Sequence, residues 1–239
     1  MKEKVIKIKT NDNHIIYWTL NTIKTNKLII FIHWLYSDQN DEIYIRASKY
    51  FWENSYDSFK FDLYSERENS RKLINSNITT HIEDLKNVIN FFKKNYNYNE
   101  INLIWHSLGG LVIINGNFFS RINKVILWDP SIWLSPEEKK EDITYDKNEW
   151  IYIVNWWIKF KLNKKMLKEW EEGINKKYIK NINKNTFFIF AENSSIYNRW
   201  KKYIKDYNLN YTIIKKIWHN FEWDKVKKEL FKQTLNFLK

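Results

Sequence analysis

The sequence predicts an α/β fold with an eight-stranded, mostly parallel sheet and helices on both faces. Short apolar runs rich in β-branched residues alternate with longer helical segments, which is typical of strands joined by helical crossovers. The chain has 239 residues, of which 44% are hydrophobic and 18% aromatic, so it has enough apolar material for a large core. We therefore expect one folded domain over residues 1–239 and no extended disorder.

The predicted elements follow one another along the whole chain. A turn signal at residues 10–13 joins the first two strands into a hairpin, and helices then separate most of the later strands. The predicted strands are Lys4–Lys9, His14–Leu20, Lys27–His33, Asp57–Leu63, Ile101–His106, Lys124–Asp129, Thr186–Ala191 and Tyr211–Ile217. The predicted helices are Asp41–Asn54, Thr79–Asn95, Leu108–Phe119, Ile196–Tyr207 and Glu222–Leu238.

Two local signals support the helix assignments. Thr80 followed by Glu83 resembles a capping box at the start of the second helix. The last helix carries apolar residues at helical spacing, which indicates one buried face. These residues are Val226, Leu230, Phe231, Leu235 and Leu238.

The sixth and seventh predicted strands are separated by a long segment, about 131–185. A connection of this length without structure is uncommon, so we predict a small lid or cap insertion. Inside it, Trp150–Val154 and Ile158–Leu162 have strand character, and Lys164–Glu172 has helical character. The lysines of this insertion have two interpretations, a preference for anionic substrates and a merely solvated face, and we favour the solvated face. These lysines are Lys159, Lys161, Lys164, Lys165 and Lys168.

Composition excludes several functional classes. The chain has no Cys, so disulfides, thiolate metal sites and a Cys nucleophile are excluded. Its five His show no metal-ligand spacing, and we expect neither a metal nor a cofactor. The net charge of +12 comes from lysines spread along the chain, so nucleic-acid binding is not expected. The N-terminus lacks a secretory signal pattern and no apolar run is long enough to span a membrane, which favours a cytoplasmic protein without stable membrane insertion.

One motif indicates a specific chemistry. The stretch Leu103-Ile-Trp-His-Ser-Leu-Gly-Gly110 lies where a strand should turn sharply into a helix. It resembles the nucleophile elbow of the α/β-hydrolase fold, in which a serine projects from a strained strand-to-helix turn. The resemblance implies that Ser107 is a nucleophile. It also implies the eight-stranded α/β-hydrolase sheet.

Two further segments are similar to parts of the same fold. The His33-Trp34 pair at the end of the third strand resembles the segment that helps to form an oxyanion hole. The resemblance implies that the backbone N–H groups of Leu35 and Leu108 are the donors of that hole. His219, after the last strand, corresponds to the base that would accept the proton from Ser107.

The acidic partner of His219 has two candidates. Glu192 lies after the seventh strand, where most members of the fold carry the acid, although Ser194 stands at the position where Asp is expected. Asp129 ends the sixth strand in an Asp-Pro pair, and some lipases of this fold place the acid there. We favour Asp129 slightly and keep Glu192 as the alternative, since Asp-Pro pairs also serve as turn caps.

Tryptophan stands at three motif positions where the fold normally has glycine. These positions are Trp34, Trp105 and Trp218, in a chain with only 4 Gly and 13 Trp. Gly and Trp together match the roughly 7% that Gly alone usually contributes. Glycine is wanted at such positions for a positive φ or for a close backbone approach. We interpret these residues as glycine codons (UGA) read as tryptophan, and as written we expect Trp34 and Trp105 to crowd the site.

The resemblance implies a serine hydrolase that cleaves a carboxylic ester, or a similar small acyl substrate, through an acyl-Ser107 intermediate. The competing interpretation is a non-catalytic binding protein of the same fold, because the expected Asp is missing and the elbow is crowded. The residues do not distinguish esterase from lipase, thioesterase or peptidase. They also do not indicate the oligomeric state.

Overall fold

The computed structural model describes residues 2–156 and 158–239. Eleven strands are present in these residues: β1 (Lys2–Lys9), β2 (Ile15–Thr22), β3 (Lys27–Ile32), β4 (Asp57–Phe61), β5 (Glu100–His106), β6 (Lys124–Trp128), β7 (Ile143–Asp146), β8 (Ile151–Asn155), β9 (Lys159–Leu162), β10 (Thr186–Ala191) and β11 (Tyr211–Ile214). The α-helices are α1 (Glu42–Glu53), α2 (Ile78–Asn95), α3 (Gly109–Gly116), α4 (Pro136–Asp142), α5 (Lys164–Glu172), α6 (Lys176–Ile179), α7 (Ser195–Tyr207) and α8 (Asp224–Leu238).

The main sheet has eight strands in the order β1-β2-β4-β3-β5-β6-β10-β11. The β1–β2 and β2–β4 pairs are antiparallel, and all other neighbouring pairs are parallel. This arrangement confirms the predicted eight-stranded, mostly parallel sheet. The carboxyl ends of β3, β5, β6 and β10 meet at one edge, which is where ligands bind in open sheets of this kind.

Helices cover both faces of the main sheet, as predicted. One face packs against α1 and α8 through a buried cluster that includes Phe31, Phe51 and Phe231. The other face packs against α2, α3 and α7 and includes Trp105 and Trp200. The strands between them are buried on both sides, which explains their continuous apolar sequences.

The segment between β6 and β10 contains a second, three-stranded sheet. Its strands are antiparallel in the order β7-β8-β9, and the helices α4, α5 and α6 flank them. The sequence predicted β8, β9 and α5. Strand β7 and the short helices α4 and α6 were not predicted, because each has too few residues for a periodic pattern to emerge.

Several predicted boundaries are wrong by a few residues. Helix α2 starts at Ile78 with Asn77 as its N-cap, and Thr80 takes the third helical position of the capping box. The predicted box of Thr80 and Glu83 is therefore displaced by three residues. Helix α3 ends at Gly116, and residues 118–120 form a separate short 3₁₀ turn. In the described residues, no helix is long and apolar enough to cross a bilayer.

The buried face of α2 carries an unpaired histidine. His81 is fully buried, and neither of its ring nitrogens has a hydrogen-bond partner among the described residues. Burial disfavours the imidazolium form and lowers the pKa of His81 to about 3. In the unfolded chain the same imidazole titrates at its ordinary value of about 6.5.

This difference makes stability depend on pH. Between pH 6.5 and 3 the unfolded chain binds more protons at His81 than the folded protein does, so the free energy of unfolding falls as the pH falls. The free energy of unfolding of the original chain should fall between pH 7 and pH 5. In His81→Phe we expect this fall to be smaller by about 2 kcal/mol. Urea unfolding of both proteins at the two pH values measures this. Equal losses would show that His81 does not contribute.

Candidate active site

The residue Ser107 lies in a strained turn between β5 and α3. Its φ is 58°, in the left-handed region that non-glycine residues rarely occupy. The Ser107 N–H donates to the carbonyl of Trp128 at 3.0 Å, and the Ser107 carbonyl accepts from Gly110 at 3.0 Å and Ser131 at 2.9 Å. These three hydrogen bonds hold the strained conformation and project the side chain at the sheet edge.

Three predicted residues form one hydrogen-bonded chain. The Oγ of Ser107 lies 2.9 Å from Nε2 of His219, and Nδ1 of His219 lies 2.6 Å from Oδ2 of Asp129. A carboxylate can only accept, so Nδ1 carries a hydrogen and Nε2 is left as the acceptor for the Ser107 hydroxyl. In this tautomer His219 is set to take a proton from Ser107.

Asp129 is held rigidly at the end of β6. It is fully buried, and its φ of 41° is also left-handed. Its N–H donates to the carbonyl of Ile189 at 2.8 Å, and its Oδ1 accepts from the N–H of Ala191 at 3.3 Å. Both contacts tie Asp129 to β10, so its carboxylate stays directed at His219.

Glu192, the alternative acid, is not brought to His219. It is exposed after β10, and its Oε2 accepts from the N–H of Lys216 at 2.8 Å. The geometry therefore favours Asp129 of the two candidates. Ser194, at the position of the missing Asp, instead caps α7 by accepting from the N–H of Ile196 at 3.2 Å.

His33 orients the loop that carries Leu35. The Nε2 atom of His33 accepts from the N–H of Leu63 at 2.9 Å, so its Nδ1 is the donor to the Trp34 carbonyl at 2.8 Å. The N–H of Leu35 points opposite to that carbonyl across a trans peptide. Burial lowers the pKa of His33, which keeps this histidine neutral.

Leu35 and Leu108 line the same cavity as Ser107. Neither of their backbone N–H groups donates to an acceptor in the described part of the chain. Two such donors beside a serine oxygen are the arrangement that stabilises a developing oxyanion.

Two further residues contact His219 or Ser107, and the sequence analysis did not predict these contacts. His106 donates from Nε2 to the His219 carbonyl at 2.8 Å and stacks against Trp34, with ring centroids 5.4 Å apart. Burial lowers the pKa of His106 well below its usual value, so it stays neutral beside His219. The Oγ of Ser131 lies 3.5 Å from the Oγ of Ser107. His106 directly precedes Ser107 in the sequence, but its bond to the His219 carbonyl and the contact of Ser131 with Ser107 are tertiary contacts, for which the sequence carries no local signal.

The cavity at Ser107 has a volume of ≈ 620 Å³. Aromatic residues dominate one part of its wall, and polar residues from the start of α7 form another. Its lining includes Trp34, Leu35, Ser107, Leu108, Ser131, Trp133, Glu138, Asp142, Asn155, Trp156, Trp170, Asn193, Ser194, Ser195, Ile196, Arg199, Trp218 and His219. A second cavity of ≈ 780 Å³ has Tyr36 in its lining and does not include Ser107.

The structure corrects two expectations about the motif tryptophans. Trp34, Trp105 and Trp218 are not among the described residues with positive φ, so no left-handed backbone requires glycine at these positions. Trp105 does not crowd the cavity, because its side chain is fully buried in the core and donates to the His33 carbonyl at 3.1 Å. The glycine at position 109 makes room for this ring, because a Cβ added to Gly109 would lie 1.3 Å from Trp105 Cδ1. Trp34 does line the cavity, as expected.

The architecture is shared with solved structures over nearly the whole chain. The α/β hydrolase GrgF from Penicillium sp. sh18 has a TM-score of 0.80 and 14% identity, over 100% of this chain and 98% of that one. The esterase Est1E from Butyrivibrio proteoclasticus, bound to ferulic acid, has a TM-score of 0.77 and 16% identity, over 98% and 99%. The esterase Pf2001 from Pyrococcus furiosus has a TM-score of 0.74 and 20% identity, over 99% and 91%.

The chain has the α/β-hydrolase fold. A family model described as "Putative serine esterase (DUF676)" matches residues 22–115, a stretch that contains Ser107 and Leu35. No curated protein matches the chain.

No group of three His, Cys, Asp or Glu side chains could hold a metal ion within residues 2–156 and 158–239. The polar groups around Ser107 are instead arranged for proton transfer and hydrogen bonding.

Proposed function

We propose that this α/β-hydrolase-fold protein is a serine hydrolase that cleaves a carboxylic ester, or a similar acyl substrate, through an acyl-Ser107 intermediate. The observation that carries the proposal is the hydrogen-bonded chain from Ser107 through His219 to Asp129, at 2.9 and 2.6 Å. The strained φ of Ser107 supports it, since such backbone cost is typical of functional sites.

Acylation begins when His219 Nε2 accepts the Ser107 hydroxyl proton as Ser107 Oγ attacks the ester carbonyl carbon. Negative charge develops on the carbonyl oxygen and is stabilised by the N–H groups of Leu35 and Leu108, which supply several kcal/mol of the barrier reduction. The tetrahedral intermediate collapses, the bond to the leaving alcohol breaks, and His219 returns the proton to the alcohol oxygen.

Deacylation repeats these steps with water as the nucleophile. His219 takes a proton from water, the hydroxide attacks the acyl carbon, and Ser107 Oγ leaves with the proton from His219. Asp129 holds the His219 ring in the productive tautomer and stabilises the imidazolium during both halves.

Labelling with a fluorophosphonate tests this proposal directly. The reagent forms a covalent bond with an activated serine, so we expect the original chain to be labelled and the Ser107→Ala variant to remain unlabelled. Equal labelling of both proteins would place the reactive group elsewhere. A folded chain that is not labelled would instead support the non-catalytic binding protein.

We also propose that residues 131–185 act as a lid over the substrate. Trp133, Asn155 and Trp170 from this segment line the Ser107 cavity. Phe160, in β9, stacks on Tyr36, with ring centroids 4.8 Å apart, and Tyr36 follows Leu35 directly. The segment therefore lines the Ser107 cavity and also contacts the loop that carries Leu35.

The glycine-codon interpretation stays a proposal for Trp34, Trp105 and Trp218. It is supported by their positions in the motifs that resemble the α/β-hydrolase fold, and backbone φ does not support it. Reading the three codons tests it, since UGG at all three would overturn it.

A further inference from the structure

The cavity at Ser107 has an unbalanced charge. Three lining residues besides His219 are ionisable: Glu138, Asp142 and Arg199. The Arg199 guanidinium donates to both carboxylate oxygens of Glu138, at 2.8 and 3.2 Å, so these two charges compensate each other. The side-chain carboxylate of Asp142 has no ion pair or hydrogen bond in the described part of the chain. The cavity thus keeps one uncompensated carboxylate in a protein whose net charge is +12.

The strand register places Asp142 among aromatic side chains. Asp142 ends α4, and the next residue, Ile143, pairs with Val154 in the antiparallel β7–β8 ladder. Continuing this register sets Asp142 beside Asn155, the residue that precedes Trp156 in the chain. The Trp156 ring packs edge-on against Trp170, with centroids 5.8 Å apart, and both residues line the cavity.

Positive side chains of the insertion do not offset this charge. Lys159 and Lys161 line the second cavity near Tyr36, and Lys161 pairs with Glu149. Lys139, the basic residue of α4 in an ion pair, contacts Glu171. No lysine is part of the Ser107 cavity lining.

We propose that the ester substrate carries a positively charged group, an ammonium or quaternary ammonium, which binds between Asp142 and the indole rings of the cavity. This inference rests on the proposed function. A carboxylate attracts such a group by charge, and indole faces attract it through their quadrupole. An anionic substrate meets the uncompensated carboxylate and is disfavoured.

Pairs of esters that differ only in charge test the inference. One pair is a choline ester and its isostere with tert-butyl in place of trimethylammonium, and a second pair carries the same exchange on the acyl side. We expect the original chain to prefer the cationic member of at least one pair by roughly three- to tenfold in kcat/KM. Asp142→Asn should remove this preference by lowering kcat/KM for the cationic member of the pair toward the value for the neutral member. Glu141→Gln, exposed on the same helix, should retain the preference.

Equal kcat/KM values within both pairs, or a preference that survives in Asp142→Asn, would overturn the inference. Choline binding to the Ser107→Ala variant, followed by tryptophan fluorescence, separates this outcome from failure of the hydrolase proposal. It reports on the cation site without turnover, and it should weaken when Asp142→Asn is added. Choline binding that is absent, or unaffected by Asp142→Asn, would contradict the cation site even if neutral esters are cleaved.

Discussion

Replacing Ser107 with Ala should lower kcat for ester hydrolysis by about a millionfold, because the variant retains the oxyanion donors but cannot form the acyl intermediate. The hydroxyl makes few other contacts: its Oγ meets His219 at 2.9 Å and Ser131 at 3.5 Å. Steady-state hydrolysis of an activated ester measures the loss, and thermal unfolding should show a nearly unchanged midpoint.

Ser131→Ala is the matched control, since it removes the neighbouring hydroxyl and keeps the nucleophile. It should retain most of the activity. If Ser107→Ala kept more than about a thousandth of the original kcat, another group would have to act as the nucleophile.

The Asp129→Asn substitution should lower kcat by about 10⁴-fold. An amide at this position can donate to Nδ1 of His219, which favours the tautomer in which Nε2 carries the hydrogen and cannot accept the Ser107 proton. The variant keeps the shape of the side chain, so the loss should appear in kcat and not in folding. Asp129 is fully buried beside His219, which makes the effect of the wrong tautomer large.

Glu192→Gln provides the comparison between the two acids. Glu192 accepts from the N–H of Lys216, and an amide oxygen can retain that bond. We expect this variant to hydrolyse the same ester at close to the original rate. A large loss in Glu192→Gln combined with an active Asp129→Asn would reverse the assignment of the acid.

The sequence predicted which residues could form the site, but it did not predict which of them come into contact. Ser107 was identifiable because the stretch Leu103–Gly110 resembles the nucleophile elbow of the α/β-hydrolase fold. The choice between Asp129 and Glu192 depends on which strand end faces His219, and this is a property of the strand order. Periodicity could not show that β10 directs Glu192 toward the loop after β11.

Residues that act through tertiary contacts escaped prediction for the same reason. Asp142 enters the cavity because β7, a strand of four residues, pairs with β8. The side chain of Trp105 points into the core, so the crowding inferred from its position next to the elbow was wrong.

Placing Asp129 at the end of β6 has a consequence for how this protein can change over evolution. The proposed acid, Asp129, and the proposed nucleophile, Ser107, directly follow two adjacent strands, and the Ser131 N–H donates to the Ser107 carbonyl, so backbone hydrogen bonds join the two strand ends. With Asp129 as the partner of His219, the connection from β10 to α7 does not need to supply a residue for proton transfer. Its residues Asn193, Ser194 and Ser195 line the cavity, so substitutions there can alter substrate choice while the reacting groups stay in place. We therefore expect single substitutions at this connection to change substrate preference.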